Sequence, residues 1–134
     1  MQATLRKRVN NTKGVTLVEL LAVLVILGII ALIAVPAIAG VIDDSKENSI
    51  KSTAINTINA VELYMVTNNV GDPSEVSHSD VEGEYVNDRD GFNWDVTPTF
   101  STKGGEVSIS GTGNIDGTTV RFDNYTINDI NNLD

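Results

Sequence analysis

The feature that most constrains this chain is an uncharged apolar run at residues 20–35, within a largely apolar segment from 17 to 42. A helix of about 20 apolar residues crosses a bilayer, so this segment is long enough to span one. Glu19 lies near its start. An ionised carboxylate costs on the order of 2.5–3.5 kcal/mol at the bilayer centre and somewhat less near the interface. Glu19 therefore predicts a positively charged partner in the same apolar environment.

Charge is divided unequally along the chain. Residues 1–14 contain no acidic residue and four basic ones: Arg6, Lys7, Arg8 and Lys13. The whole chain has a net charge of −9, which leaves −13 for residues 15–134. A basic leader before an apolar helix predicts that the leader stays in the cytoplasm and that the body lies outside. This acidic body argues against direct nucleic-acid binding, because contacts to the phosphates require Lys and Arg.

The segment from Lys13 to Glu19, followed by the apolar run and Pro36, resembles the prepilin signature of type IV pilins. The related type II secretion and competence pseudopilins share this signature. The resemblance implies that a membrane prepilin peptidase cuts between Gly14 and Val15 and methylates the new amino terminus of Val15. It also implies that Glu19 pairs with the α-ammonium of Val15 in a neighbouring subunit. Phenylalanine is the commonest first mature residue in the family, and Val15 departs from that preference.

The same resemblance implies a structural role. The chain would be held in the cytoplasmic membrane as a precursor, then enter a helical homopolymer on the cell surface with the help of the pilus assembly machinery. Filaments of this family serve adhesion, motility or DNA uptake, and the resemblance implies no cofactor. Pro36 falls where helices of the family bend or partly melt, and proline disrupts helical hydrogen bonding in any case. The chain has no cysteine, unlike many Gram-negative pilins, and this favours a Gram-positive source.

Two other functions remain open at this point. A competence or type II secretion pseudopilin has the same N-terminal residues but forms a short piston. A secreted binding domain is the third reading, since Ala39 before Gly40 also fits a signal-peptide cleavage site. Three features argue against a signal peptide. The apolar core is at or beyond the usual signal-peptide length of about 7–15 residues, Glu19 is costly within it, and the helical pattern continues past the supposed cleavage site.

The sequence predicts four parts: a leader at 1–14, an apolar helix at 15–42, its amphipathic continuation at 43–71, and a β-rich head at 72–134. Five apolar residues at spacings of three and four form one stripe on the continuation: Ile50, Ala54, Ile58, Val61 and Met65. Glu47 and Lys51 have the spacing of a helical ion pair. Gly71 and Pro73 predict that the helix ends near Asn69.

Five short segments of the head have β-prone composition: residues 81–86, 92–96, 106–110, 118–122 and 125–127. We expect a small antiparallel sheet that packs on the apolar stripe, because neither part can bury its apolar face alone. The predicted fold class is therefore α+β, with a long N-terminal helix on a small sheet, as in pilins. Four aromatic residues are assigned to its core: Phe92, Trp94, Phe100 and Phe122.

The sequence contains no recognisable catalytic arrangement. His78 is the single histidine, cysteine is absent, and we do not expect an enzyme. A weak calcium candidate is formed by Asp88, Asp90, Asn93 and Asp95, but Thr99 stands where a calcium loop needs an acid. A solvated acidic turn without a metal is the favoured interpretation, and residues 123–134 are expected to form an exposed edge or tail.

Overall fold

A computed structural model of the chain describes residues 2–86 and 91–134, with side chains from residue 16 onward. The chain forms two compact units, residues 1–41 and 42–134. The first helix, α1 (Gln2–Asn68), supplies the first unit and the start of the second. A 3₁₀ helix (Pro73–Glu75) and α2 (His78–Val81) follow, then β1 (Phe92–Lys103), β2 (Glu106–Ile115), β3 (Thr118–Tyr125) and α3 (Ile127–Asn131). The predicted α+β fold, a long helix on a small antiparallel sheet, is confirmed.

The end of α1 is set by Asn69. This residue has a φ of 57°, a left-handed conformation that asparagine tolerates better than most residues. The Val70 amide donates a hydrogen bond of 2.9 Å to the Met65 carbonyl, which caps the last turn as a Schellman motif does. The helix therefore ends within one residue of its predicted end. Pro36 lies inside α1, and the bend proposed there stays a prediction.

The sheet is an antiparallel meander in the order β1-β2-β3. Two-residue turns connect its strands. Gly104 and Gly105 form the first, with φ of 61° and 85°, and Asp116 and Gly117 form the second, with φ of 50° and 87°. Two successive positive φ angles are typical of the type I′ turn, whose twist matches that of antiparallel strands. These turns let the strands extend further than the short segments predicted from composition.

The core lies between the α1 stripe and the inner face of the sheet. Ile50, Ala54, Ile58 and Val61 are completely buried, while Met65 is partly buried against the same cluster. The aromatic residues pack there as predicted: Phe92, Phe100 and Phe122 are buried, and Trp94 is partly buried.

A register shift in β1 determines which face of the sheet Val96 joins. Trp94 pairs with the buried Gly113, yet Val96, two residues later, pairs with Thr112 instead of a residue on the Gly113 face. Residues directly opposite one another in an antiparallel pair share a face, so the shift turns Val96 outward. Val96 is accordingly 57% exposed although it is apolar.

Three local predictions were wrong. Residues 81–86 contain the end of α2 and an isolated bridge from Glu82 to Val86, because the Asp80 carboxylate caps a helical turn at the Ser77 amide. Residues 125–127 belong to the end of β3 and the start of α3, so they are not a separate strand. The Lys51 ammonium donates to the Leu133 carbonyl at 2.9 Å and does not pair with Glu47.

The C-terminal run also differs from its prediction. Residues 123–134 are not merely an exposed edge or tail, because α3 packs on the sheet and buries Ile130. Thr126 caps α3, accepting from the Asp129 amide at 3.3 Å while the Asp129 carboxylate accepts from the Thr126 amide at 3.0 Å. The Asp129 carboxylate also lies 2.8 Å from the Lys103 ammonium. The Lys103–Asp129 ion pair ties α3 to the end of β1.

Candidate functional site

The first unit presents an apolar helical surface. Seventeen large apolar side chains between residues 17 and 42 are exposed in the single chain, and they include Leu17, Val25, Leu32 and Ile42. A helix with apolar residues at every third or fourth position packs one face onto a core. The apolar residues between 17 and 42 instead occupy every side of α1. A helix that is apolar all round is buried in a membrane or inside an assembly. By length and composition, one helix of the described residues, Thr16–Asn68, could cross a membrane.

Glu19 is the one charged residue of this surface. Its side chain is exposed, and no basic side chain among the described residues lies within ion-pairing distance of its carboxylate. The next charged residue along the chain is Asp43, so 23 uncharged residues separate them, roughly 35 Å of helix. That length matches the hydrocarbon core of a bilayer, about 30 Å. In either a membrane or a helix bundle, an ionised Glu19 carboxylate is costly unless it is paired, so its pairing with a cation stays a prediction.

The other predicted N-terminal site residues lie outside the part of the chain whose side chains the structure describes. The predicted processing residues are Gly14 and Val15. The predicted orientation residues are Arg6, Lys7, Arg8 and Lys13. Cleavage, methylation and pairing at these positions stay predictions. The fourfold division at residues 14, 42 and 71 likewise stays a prediction.

The structure describes only two of the four residues of the calcium candidate. Asp88 and Asp90 lie outside the described residues, so the structure does not place them against Asn93 and Asp95. The Asp95 carboxylate accepts hydrogen bonds of 2.9 and 3.2 Å from the Asn114 side-chain amide. Within residues 16–86 and 91–134, no group of three or more histidine or acidic side chains is arranged to hold a metal ion.

His78 is buried beside Trp94, with ring centroids 6.0 Å apart. Its Nδ1 atom lies 3.7 Å from the Glu82 carboxylate, while Nε2 and the Trp94 indole nitrogen have no hydrogen-bond partner among the described residues. Trp94 also packs edge to face on Phe92 and Phe122, with ring centroids 5.1 and 6.3 Å away, so the His78–Trp94 pair belongs to the aromatic cluster of the core.

Three carboxylates of the second unit have pKa values below the ordinary aspartate range. The pKa of Asp72 is lowered by hydrogen bonds from the Ser74 amide and hydroxyl, and that of Asp80 by bonds from the Ser77 hydroxyl and amide. The Lys103 ammonium lowers the pKa of Asp129, helped by the Thr126 amide. Their partners show that these shifts accompany a turn and two helix caps of the fold.

Sequence reasoning missed two apolar patches on the second unit. Leu63 and Val66 are exposed near the end of α1, three residues apart and off the buried stripe, a spacing that could have identified them. Val96 had no such signal, because only the β1 register shift brings it to the surface.

Comparison with protein families identifies the N-terminal segment. Residues 9–35 match the model of the prokaryotic N-terminal methylation motif, which covers the predicted cleavage site, Glu19 and the whole apolar run at residues 20–35. No curated protein and no solved structure gives a significant match to the chain. The motif implies a precursor processed by a prepilin peptidase, and its apolar helix suits a membrane-anchored form before assembly. The N-terminal methylation motif at residues 9–35, carried on a long apolar helix, supports a type IV pilin-like prepilin.

Proposed function

We propose that the chain is a structural subunit, a pilin, of a helical type IV pilus-like filament on the cell surface. The observation that carries the proposal is the apolar surface of α1 between residues 17 and 42, which is exposed on every side in the single chain and overlaps the methylation motif from residue 17 to residue 35. Such a surface is stable in a membrane before assembly and inside a bundle of equivalent helices afterwards.

Processing supplies the charge that Glu19 needs. Cleavage after Gly14 creates an α-ammonium on Val15, and this group from a neighbouring copy pairs with the Glu19 carboxylate in the apolar bundle. Lipid and neighbouring helices are equally apolar, so hydrophobic burial does not favour assembly, and close packing with this pair must supply the preference. The pair also fixes the axial register between copies, because each charge is costly unless it meets the other.

The first test is the intact mass and N-terminal sequence of protein sheared from the surface of the cells that make it. A chain that begins at Val15, with or without one added methyl group, supports the prepilin pathway. A chain that begins at Gly40 contradicts the proposal and indicates a secreted domain. Electron microscopy separates a pilin from a pseudopilin, because the proposal requires long surface filaments and a pseudopilin does not form them.

A substitution at Glu19 tests the pairing. Removing one partner of a buried ion pair costs about 3–5 kcal/mol, because the other charge stays buried and unpaired. We expect Glu19→Ala to leave the precursor in the membrane and to remove most surface filaments. Glu19→Asp retains the charge and should restore part of the assembly, while Glu75→Ala, at an exposed acid outside the apolar segment, should have no effect. Abundant filaments from Glu19→Ala would refute the pairing.

A further inference from the structure

A helical filament is held together by heterologous contacts, in which one surface of each copy meets a different surface of the next copy. Between residues 43 and 134, the described part of the second unit exposes large apolar side chains in two places. Leu63 and Val66 form one, on the last turns of α1, and Val96 forms the other, on the outer face of the sheet. An inference from these two patches rests on the filament function proposed above.

The first patch borders a groove that we call the hairpin groove. It has a volume of about 660 Å³ and lies between the end of α1 and the β1–β2 turn. Met65, Val66 and Val107 give it an apolar lining, and Val66 is 82% exposed. Glu62 is the acidic residue of the lining, and no described residue forms an ion pair or hydrogen bond with its carboxylate.

The second patch is a row of residues across the sheet that we call the Val96 row. Val96 pairs with Thr112 on β2, and Thr112 pairs with Arg121 on β3, so the three side chains share the outer face. Arg121 is exposed and has no ion pair or hydrogen bond with a described residue. The Val96 row therefore combines an exposed apolar residue with a free cation, and the hairpin groove combines exposed apolar residues with a free anion.

The two patches do not meet within one copy. Val107 faces the helix side of the sheet, where it is buried, whereas the Val96 row lies on the opposite face. Val96 is also seven residues from the end of β1 at Lys103, a separation of roughly 20 Å along the strand. A contact between them must join different copies, and because the two surfaces differ it can repeat without closing into a dimer.

We propose that the Val96 row of one copy packs into the hairpin groove of the next copy, with Arg121 beside Glu62. The apolar side chains supply the attraction, and the charges select the register. Selection matters because residues 42–134 carry a net charge of −12, so random approaches of two copies bring like charges together. Arg121 against Glu62 is a favourable pair in an otherwise repulsive field.

Cysteine cross-linking tests the contact directly, since the chain has no cysteine of its own. The full-length chain carrying both Val66→Cys and Val96→Cys is produced in the cells that assemble it, and sheared filaments are oxidised and separated without reductant. A disulfide needs Cβ atoms within about 4.5 Å, so a ladder of covalent multimers is expected from the double variant and monomers from each single variant.

The control pairs Val96→Cys with Glu75→Cys, at an exposed position of the 3₁₀ helix away from the hairpin groove. We expect no ladder from it. The proposal is overturned if the Val66 and Val96 pair stays monomeric in intact filaments, if the control gives an equal ladder, or if Val66→Cys or Val96→Cys alone gives dimers, which indicates a symmetric contact of like patches.

Charge reversal gives an independent readout on the same filaments. Glu62→Arg and Arg121→Glu should each lower the yield of filaments several-fold, and the double reversal should restore it, because the pair is then re-formed with exchanged signs. Normal yield from both single variants, or no recovery in the double variant, contradicts the contact while leaving the filament function intact. Absence of filaments from the unmodified chain instead refutes the proposed function.

Discussion

Replacement of Gly113 by alanine tests how closely α1 packs on the sheet. A Cβ atom added at Gly113 would lie 2.7 Å from Cγ2 of Ile50 and 3.0 Å from Cε2 of Phe92. Both distances are well inside normal carbon contact, and Ile50 is completely buried in the core cluster, so its movement would disturb neighbouring core side chains. Overpacking of this kind costs about 1–3 kcal/mol, which outweighs the few tenths to about 1 kcal/mol gained by restricting the unfolded chain.

The fluorescence of Trp94 reports on this region. It is the only tryptophan, and its ring centroid lies 5.1 Å from that of Phe92. We expect urea unfolding of the full-length Gly113→Ala protein in detergent to give a lower midpoint with an unchanged slope. For a unit of this size, a loss of 1–3 kcal/mol lowers the melting temperature by roughly 5–20 °C.

Gly71 provides a matched control. No atom lies within 4 Å of a Cβ added there, so Gly71→Ala should change the free energy of unfolding by less than about 0.5 kcal/mol. Equal midpoints for the Gly113→Ala and Gly71→Ala proteins would refute the close contact between helix and sheet.

Three further predictions concern the second unit. Ile58→Ala should lower the free energy of unfolding by about 2–5 kcal/mol in the same assay, and Ile58→Val by no more than about 1.5 kcal/mol, because Ile58 is completely buried. Thr126→Ala should cost about 0.5–2 kcal/mol by removing the α3 cap, with Thr126→Ser as the control that retains the hydroxyl. The lowered pKa values of Asp72, Asp80 and Asp129 stabilise the fold above the pKa of an unfolded aspartate, so this contribution should stay nearly constant from pH 7 to about 5 and be lost progressively as the pH falls below about 4 and through the folded-state pKa values. A melting temperature that rises on acidification below pH 4 would contradict that sign.

The large elements of the fold could be predicted because each has a repeated signal. The stripe at Ile50, Ala54 and Ile58 repeats with the helical period. The apolar run is long enough that its length alone indicates a helix that could span a membrane. The β propensity of valine and tyrosine in residues 81–86 and 125–127 predicts strands, whereas local capping gives the short helices α2 and α3. Ser77 with Asp80, and Thr126 with Asp129, have the three-residue spacing of a capping box and would have corrected both assignments.

Strand lengths were underestimated for a related reason. Gly104-Gly105 and Asp116-Gly117 are the residue pairs that two-residue hairpins require, and treating them as hairpin turns extends the pairing of β1, β2 and β3 to their observed ends. The resemblance predicts roles for Gly14, Val15 and Glu19, and these roles stay predictions. No pattern in the sequence could reveal Val96, because its exposure depends on how β1 registers against β2.

The register shift in β1 has a consequence for how this chain can change over evolutionary time. Whether Val96 is a surface or a core residue is decided by the count of residues after Trp94, not by the identity of either side chain. Deletion or insertion of one residue there would exchange the two faces of the strand beyond it, and a surface residue would become a core residue without any substitution. Length changes between Trp94 and Pro98 should therefore be far rarer among relatives than substitutions at Val96 itself, whereas the turns at Gly104 and Asp116 can be remodelled without altering which side chains face α1.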